Sequence, residues 1–286
     1  MIPATSSLST APVVRRSVVI SPDDWRFTAK MRELWPYREL FFFLVWRDIK
    51  VRYAQSILGI GWALIQPIVP LVIFTIVFGS VAKISSDGAP YALFAYTGLL
   101  PWTYFANSVG DASGSLVKEV NMLSKIYFPR LFLPLTSVLG RLIDLFVACG
   151  FLLLLMMWYG IVPPASALLL PFFVLLTMLA ASGLGLWLGA LAVQYRDVRH
   201  AVPFALQFLM YAAPVVYPTS LIPERYRYLY ALNPMVGIIE GSRACLLGLA
   251  PIPWDLVGIA TVSAVAIAWA GMLYFIRQEP IFADVA

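Results

Sequence analysis

"GWALIQPIVPLVIFTIVFGSVA", residues 61–82, contains no Asp, Glu, Lys, Arg or His, and the uncharged interval reaches back to Tyr53. A helix needs about 20 apolar residues to cross a bilayer, and an ionised side chain at the bilayer centre is costly. This stretch is long enough to cross, and its reading decides that of the whole chain. Immediately before it, "WRDIKVRY" at 46–53 packs Arg47, Asp48, Lys50 and Arg52 into two turns.

The same criterion marks uncharged intervals at 88–110, 201–223 and 256–276. A further interval, 145–195, is too long for one crossing, and "WYGIVPPAS" at 158–166 divides it with Gly160 and a Pro pair. Six helices follow, near 60–82, 89–110, 136–158, 166–192, 201–218 and 255–276. Composition agrees: 61% of residues are hydrophobic, 12% are charged and the mean hydropathy is +0.83. A soluble domain carries roughly 45–50% apolar and 25% charged residues. The fold class expected is an all-α integral membrane protein with six transmembrane helices.

Basic residues near span ends stay on the cytoplasmic side. Fifteen fall before span one, between spans two and three, between spans four and five, or after span six; four (Lys83, Arg225, Arg227, Arg243) fall on the other side. Both termini are therefore expected in the cytoplasm, and the net charge of +5 is a topology signal rather than a nucleic-acid footprint. No apolar run followed by a small-residue cleavage site occurs near the N-terminus, so a cleaved signal peptide is not expected. The expected organisation is an N-terminal tail at 1–34, an amphipathic interface helix at 35–58, a six-span domain at 59–276 and a C-terminal tail at 277–286. Cys149 and Cys245 read as packing residues, not as a disulfide.

At 100° per residue, Phe42, Val45, Trp46, Ile49, Tyr53 and Ile57 share one face of the helix before span one, with Arg47, Asp48 and Gln55 opposite. Such a helix lies in the membrane surface with its cations near lipid phosphates. An orientation anchor and a functional element both fit that pattern.

Five blocks bear a family resemblance: "LVWRDIKVRYAQSILGIGWALIQP" (44–67), "GLLPWTYFANSV" (98–109), "LVKEVNMLSKIYFPRLFLPL" (116–135), "QYRDVRHAVPFALQF" (194–208) and "YPTSLIPERYRYLYALNPMVGIIEGSR" (217–243). In order and spacing they resemble the permeases of polysaccharide ABC exporters, the O-antigen type above all, with teichoic acid and capsule permeases as relatives. The resemblance covers about 35–276. It implies a homodimer in the bacterial plasma (inner) membrane, driven by two copies of a separate cytoplasmic ATPase that binds the ATP and Mg. The cargo implied is a polyprenyl-diphosphate-linked polysaccharide. The residues support one part independently: no G-x-x-x-x-G-K-[ST] phosphate loop occurs, so this chain binds no nucleotide by that device.

"SLVKEVNMLSKIYFP" at 115–129 spaces Leu116, Val120, Leu123 and Tyr127 as one helix face. An amphipathic connector has that pattern; the resemblance implies the coupling helix that docks in a groove of the ATPase, with Lys118, Glu119, Asn121, Lys125, Phe128 and Pro129 as its residues. Arg196 and Asp197 in the loop "YRDVRH" are implied as a second contact. Arg47, Lys50, Arg52, Ser56 and Gly59 would meet the lipid diphosphate.

Between spans five and six, 219–250 is longer than a connector needs. Asn233 is placed as an N-cap, Pro234 at the first helical position and Gly248 at the end of a helix. By resemblance this is a pair of re-entrant outer gate helices, with Tyr226, Tyr228, Tyr230, Asn233, Pro234, Glu240 and Arg243 as gate residues. Aromatic faces stack on sugar C–H faces without demanding one hydroxyl pattern. Channel-lining candidates are therefore Trp102, Tyr104, Phe105, Asn107, Tyr211 and Tyr217, most of them expected to serve packing.

Arg141 and Asp144 stand at i and i+3 and read as a structural bridge. Ala181, Gly185 and Gly189 form a small-residue face for another helix of the same chain. No catalytic or metal-binding residue is assigned. A membrane glycosyltransferase would need a carboxylate cluster on the reacting face, where only Asp87, Glu224, Glu240 and Asp255 are scattered. An exporter of small lipids or drugs remains the alternative within the transporter class.

Overall fold

The computed structural model describes residues 34–54, 59, 61–119, 128–280 and 282. Among these every regular element is helical. In chain order they are α1 (Arg38–Tyr53), α2 (Gly61–Phe74), α3 (Tyr91–Lys118), α4 (Phe132–Gly140), α5 (Leu142–Trp158), α6 (Leu170–Gln194), α7 (Val198–Tyr211), α8 (Glu224–Tyr230), α9 (Pro234–Leu247) and α10 (Trp254–Gln278). Four helical stretches are long and apolar enough to cross a membrane: Gly61–Val81, Phe132–Trp158, Ala165–Gln194 and Trp254–Gln278.

α3 fails that test of composition because it has no need to pass it. It is the axis of the bundle, packed against α2, α4, α5, α6, α7 and α9. Its side chains meet protein rather than lipid, so tyrosines, threonine and serines are tolerated where their hydroxyls find carbonyls. Tyr96 donates to the Ala148 carbonyl at 3.1 Å, Tyr104 to that of Val138 at 3.0 Å and Thr97 to that of Leu93 at 3.0 Å.

Lipid tails are as apolar as leucine, so helices associate in a bilayer by close packing. α6 provides it on two sides. A Cβ on Gly185 would come within 2.7 Å of Ala112 on α3, and one on Gly271 of α10 would overlap the Gly183 carbonyl. The small-residue face read from sequence packs within the chain.

Two element boundaries differ from expectation. α3 runs on to Lys118, so 115–118 is its last turn and not the start of a separate connector. Residues 120–127, with Asn121 and Lys125, lie outside the described residues, as does Ser56. The helix expected over 201–218 stops at Tyr211, because Pro214 and Pro218 supply no N–H and residues preceding proline avoid helical backbone.

Candidate functional site

Polar side chains gather at the two ends of α3. Asp111 and Phe94, one at each end, are separated by about 25 Å along the helix axis at 1.5 Å per residue.

The cluster at the C-terminal end of α3, inner in the topology expected from the sequence, joins α1, α3 and the α4–α5 junction through charge. Arg52 Nη2 lies 2.7 Å from Asp48 and 3.2 Å from Asp111, while its Nη1 lies 3.3 Å from Asp144. Arg141 holds Asp111 at 2.8 Å and Asp144 at 2.9 Å. The Tyr53 hydroxyl donates to Asp144, and Arg47 reaches Glu119 at 2.6 Å. A Cβ on Gly140 would come within 2.6 Å of Asp48 Oδ2, so the glycine admits this carboxylate to the bundle.

Beside the cluster lies a cavity of about 280 Å³, lined by Arg47, Arg52, Lys118, Asp48, Asp111 and Glu119 among others. Three aspartates converge with two guanidiniums between them. Among the described residues no group of side chains could hold a metal ion. Burial, opposed by Arg52, holds the Asp48 carboxyl above the usual aspartate range, and Asp111 adds to the rise. Burial and the hydrogen bond to Asp144 likewise push the Tyr53 phenol up.

The charged side of α1 packs against the bundle. Phe42, Phe43, Trp46 and Val51 are exposed, whereas Arg47, Asp48 and Arg52 turn inward. Arg47 and Arg52 are therefore engaged by carboxylates of this chain and not presented to lipid phosphate. The physical reason is neutralisation, since Asp111, Glu119 and Asp144 would otherwise be half-buried charges. Lys50 stays exposed, 5.4 Å from the Trp46 ring centroid, and Gly59 takes a left-handed φ of +49°. The Arg141–Asp144 bridge forms as read from the sequence, though as part of the larger cluster. Asp111 was missed; its only signal was that it ends the uncharged interval of span two.

Phe128 and Pro129 are buried, Phe128 with Leu44, Leu116 and Leu131, so both anchor their segment to this chain. Lys118 is exposed at the end of α3 and Glu119 is taken by Arg47. Arg196 and Asp197 are exposed in the turn between α6 and α7. Of the lining candidates, Trp102, Tyr104 and Phe105 are buried within the chain. Asn107 bonds Gln66 of α2 at 3.0 Å, while Tyr211 is exposed and Tyr217 half-buried.

The cluster at the N-terminal end of α3, outer in the expected topology, centres on Arg243, 6% exposed. Its Nη1 lies 3.0 Å from Glu240, its Nη2 donates to the Pro214 carbonyl at 2.7 Å, and its guanidinium sits 3.7 Å from the Phe94 ring centroid. Glu240 also accepts the Thr219 N–H at 3.0 Å. The Tyr217 hydroxyl donates to the Tyr211 carbonyl at 2.8 Å, so the 3.1 Å bond to Tyr230 is donated by Tyr230. Asn233 caps α9 by accepting the Met235 N–H, Pro234 opens the helix, and Gly248 closes it with φ +65°. Tyr226, under Arg225, and Tyr228 are exposed on α8.

A chain with four apolar crossings and a polar axial helix is a multi-pass membrane protein, and its charges tie helices together instead of framing a reaction centre. The sequence matches the family model described as ABC-2 type transporter over residues 39–247. It is 32% identical over 257 residues to the O-antigen export system permease protein RfbA of Myxococcus xanthus, covering 89% of this chain and 98% of that one. It is 23% identical to a protein of the same name from Klebsiella pneumoniae (84% and 92% covered), and 25% identical to the polysialic acid transport protein KpsM of Escherichia coli (70% and 78% covered). The chain belongs to the ABC-2 type transporter family: it is a membrane permease subunit and not itself an enzyme.

Proposed function

We propose that this chain is the transmembrane subunit of an ATP-driven exporter that moves a lipid-linked polysaccharide of the O-antigen class out of the cytoplasm. The observation that carries the reading is the 32% identity to an O-antigen export permease across nearly that protein's whole length. Two copies form the pathway in the inner membrane, with both termini in the cytoplasm. Two copies of a separate ATPase bind ATP and Mg and drive it.

Six crossings follow when α3 and α7 are counted with the four apolar stretches, α7 being completed by the segment after it. α8 and α9 then form the re-entrant outer gate, and the near-total burial of α9 supports it, because backbone at membrane depth must be enclosed by protein. Residues 115–129 together with Arg196 and Asp197 take up the ATPase stroke. Lys50, an exposed cation near the end of α1, meets the lipid diphosphate near Gly59. The weaker likeness to a polysialic acid transporter makes a capsule polymer the second reading.

The test is export in a strain lacking this permease. Surface polysaccharide disappears and lipid-linked glycan accumulates inside; both defects reverse when the permease and its ATPase are restored together. Export that continues without the ATPase, or a cytoplasm with no accumulated glycan, overturns the reading.

A further inference from the structure

α7 is too short for the crossing it begins. Its 14 residues advance about 21 Å, against roughly 30 Å of hydrocarbon. The rest is covered by residues 212–218, which are not helical. Carbonyls released from a helix at that depth need donors from the protein.

They receive them in alternation. The Ala212 carbonyl accepts from Asn233 Nδ2 at 3.0 Å, the Pro214 carbonyl from Arg243 Nη2 at 2.7 Å and the Val216 carbonyl from the Tyr91 hydroxyl at 2.8 Å. Between them the Val215 N–H turns back to the Ala213 carbonyl at 2.8 Å. Ala213, Pro214, Val215 and Val216 are all buried. Gly98 lets the segment lie on α3, because a Cβ there would come within 3.0 Å of the Val215 carbonyl and 2.8 Å of Arg243 Nη2.

A helical ladder opens only by losing successive bonds of one cooperative unit. This segment is held by separate side-chain donors from α3, from the N-cap of α9 and from within α9, each replaceable on its own. The replacement must itself be a donor, which the hydroxyls of a passing sugar chain are. Phe208 and Tyr211, exposed on the last turn of α7, would move with the segment.

We infer that residues 212–218 are the joint on which the outer end of the export pathway opens, and that Tyr91, Asn233 and Arg243 are positioning residues that hold it closed. This rests on the export reading above, yet its first test needs neither ATPase nor glycan. In a chain with Cys149→Ala and Cys245→Ser, Val215→Cys reports opening through its rate of reaction with a membrane-impermeant maleimide. Ala264→Cys, buried on α10, reports general loosening. Tyr91→Phe removes one donor, and Asn233→Asp removes another while keeping the acceptor that caps α9. Each raises the Val215→Cys rate roughly fivefold to tenfold, the worth of one hydrogen bond, and leaves the Ala264→Cys rate unchanged. Equal acceleration at both reporters, or none at Val215→Cys, overturns the joint.

In the reconstituted complex, ATP turnover accelerates Val215→Cys labelling in the otherwise unsubstituted joint. If turnover leaves that rate unchanged while glycan is still delivered, the joint is not the gate and the inference falls with the export reading intact. If no glycan is delivered at all, the export reading is what fails.

Discussion

The two ends of α3 solve the same problem by different means. At the inner end, charges on α1, α3 and α5, distant in sequence, neutralise one another: Arg52 meets Asp144 across 92 positions and Arg47 meets Glu119 across 72. At the outer end a single buried cation, Arg243, shares its guanidinium between the Glu240 carboxylate and a backbone carbonyl, with the Phe94 ring beside it. The inner cluster resists change because removing one member strands another's charge. The outer one adds two neutral donors, Tyr91 and Asn233, each of which leaves only a carbonyl behind when lost. One end is built as a brace, the other as a joint.

The largest difference should come from the cations. Arg141→Ala leaves Asp111 and Asp144 sharing Arg52 alone; breaking a buried pair in this way costs about 3–5 kcal/mol. Arg243→Ala strands a single carboxylate, Glu240, which keeps the Thr219 N–H, along with the neutral Pro214 carbonyl, and should cost less, on the order of 2–3 kcal/mol. Thermal unfolding of the two variants in detergent checks the order. A larger loss for Arg243→Ala would mean that the outer end, not the inner, braces the bundle.

Tyr53→Phe comes next. It removes one hydrogen bond to Asp144 while both arginines remain, so the expected loss is about 1 kcal/mol. Chemical unfolding at neutral pH reads it directly. A loss equal to that of Arg141→Ala would show the phenol to be as much a keystone as the guanidinium.

How much of this was legible in advance follows from what each feature depends on. The four apolar crossings are local properties of composition. The cap at Asn233, Pro234 after it and the left-handed Gly248 are local chemistry as well, and all three form as read. What the charged side of α1 meets was not legible, because amphipathicity tells which side differs but not which side meets protein. Asp111, Glu119 and Asp144 decide that, from elsewhere in the chain. Trp102, Tyr104 and Phe105 are buried; the sequence leaves lining and packing both open for them, since an aromatic helix at the centre of a bundle has the same pattern as one facing a passage. The break in α7 left one trace, Pro214 and Pro218 in an otherwise continuous apolar run.

The smallest expected effect probes the inner cluster from its edge. At Asp48, burial disfavours the ionised form, Arg52 notwithstanding. With a folded pKa above the unfolded one, protonation favours the native state. The associated stabilisation is fully present below the unfolded value of 3.8 and is lost as pH rises through the folded value. Asp48→Asn has no such dependence. Relative to the variant, the unsubstituted protein should therefore lose stability as pH climbs through that window, ending within about 1 kcal/mol of it at neutrality. Unfolding midpoints measured between acid and neutral pH give the gap directly. If the gap instead moves in favour of aspartate as pH rises, Arg52 outweighs burial, and the inner cluster is tighter at its rim than the geometry around Gly140 implies.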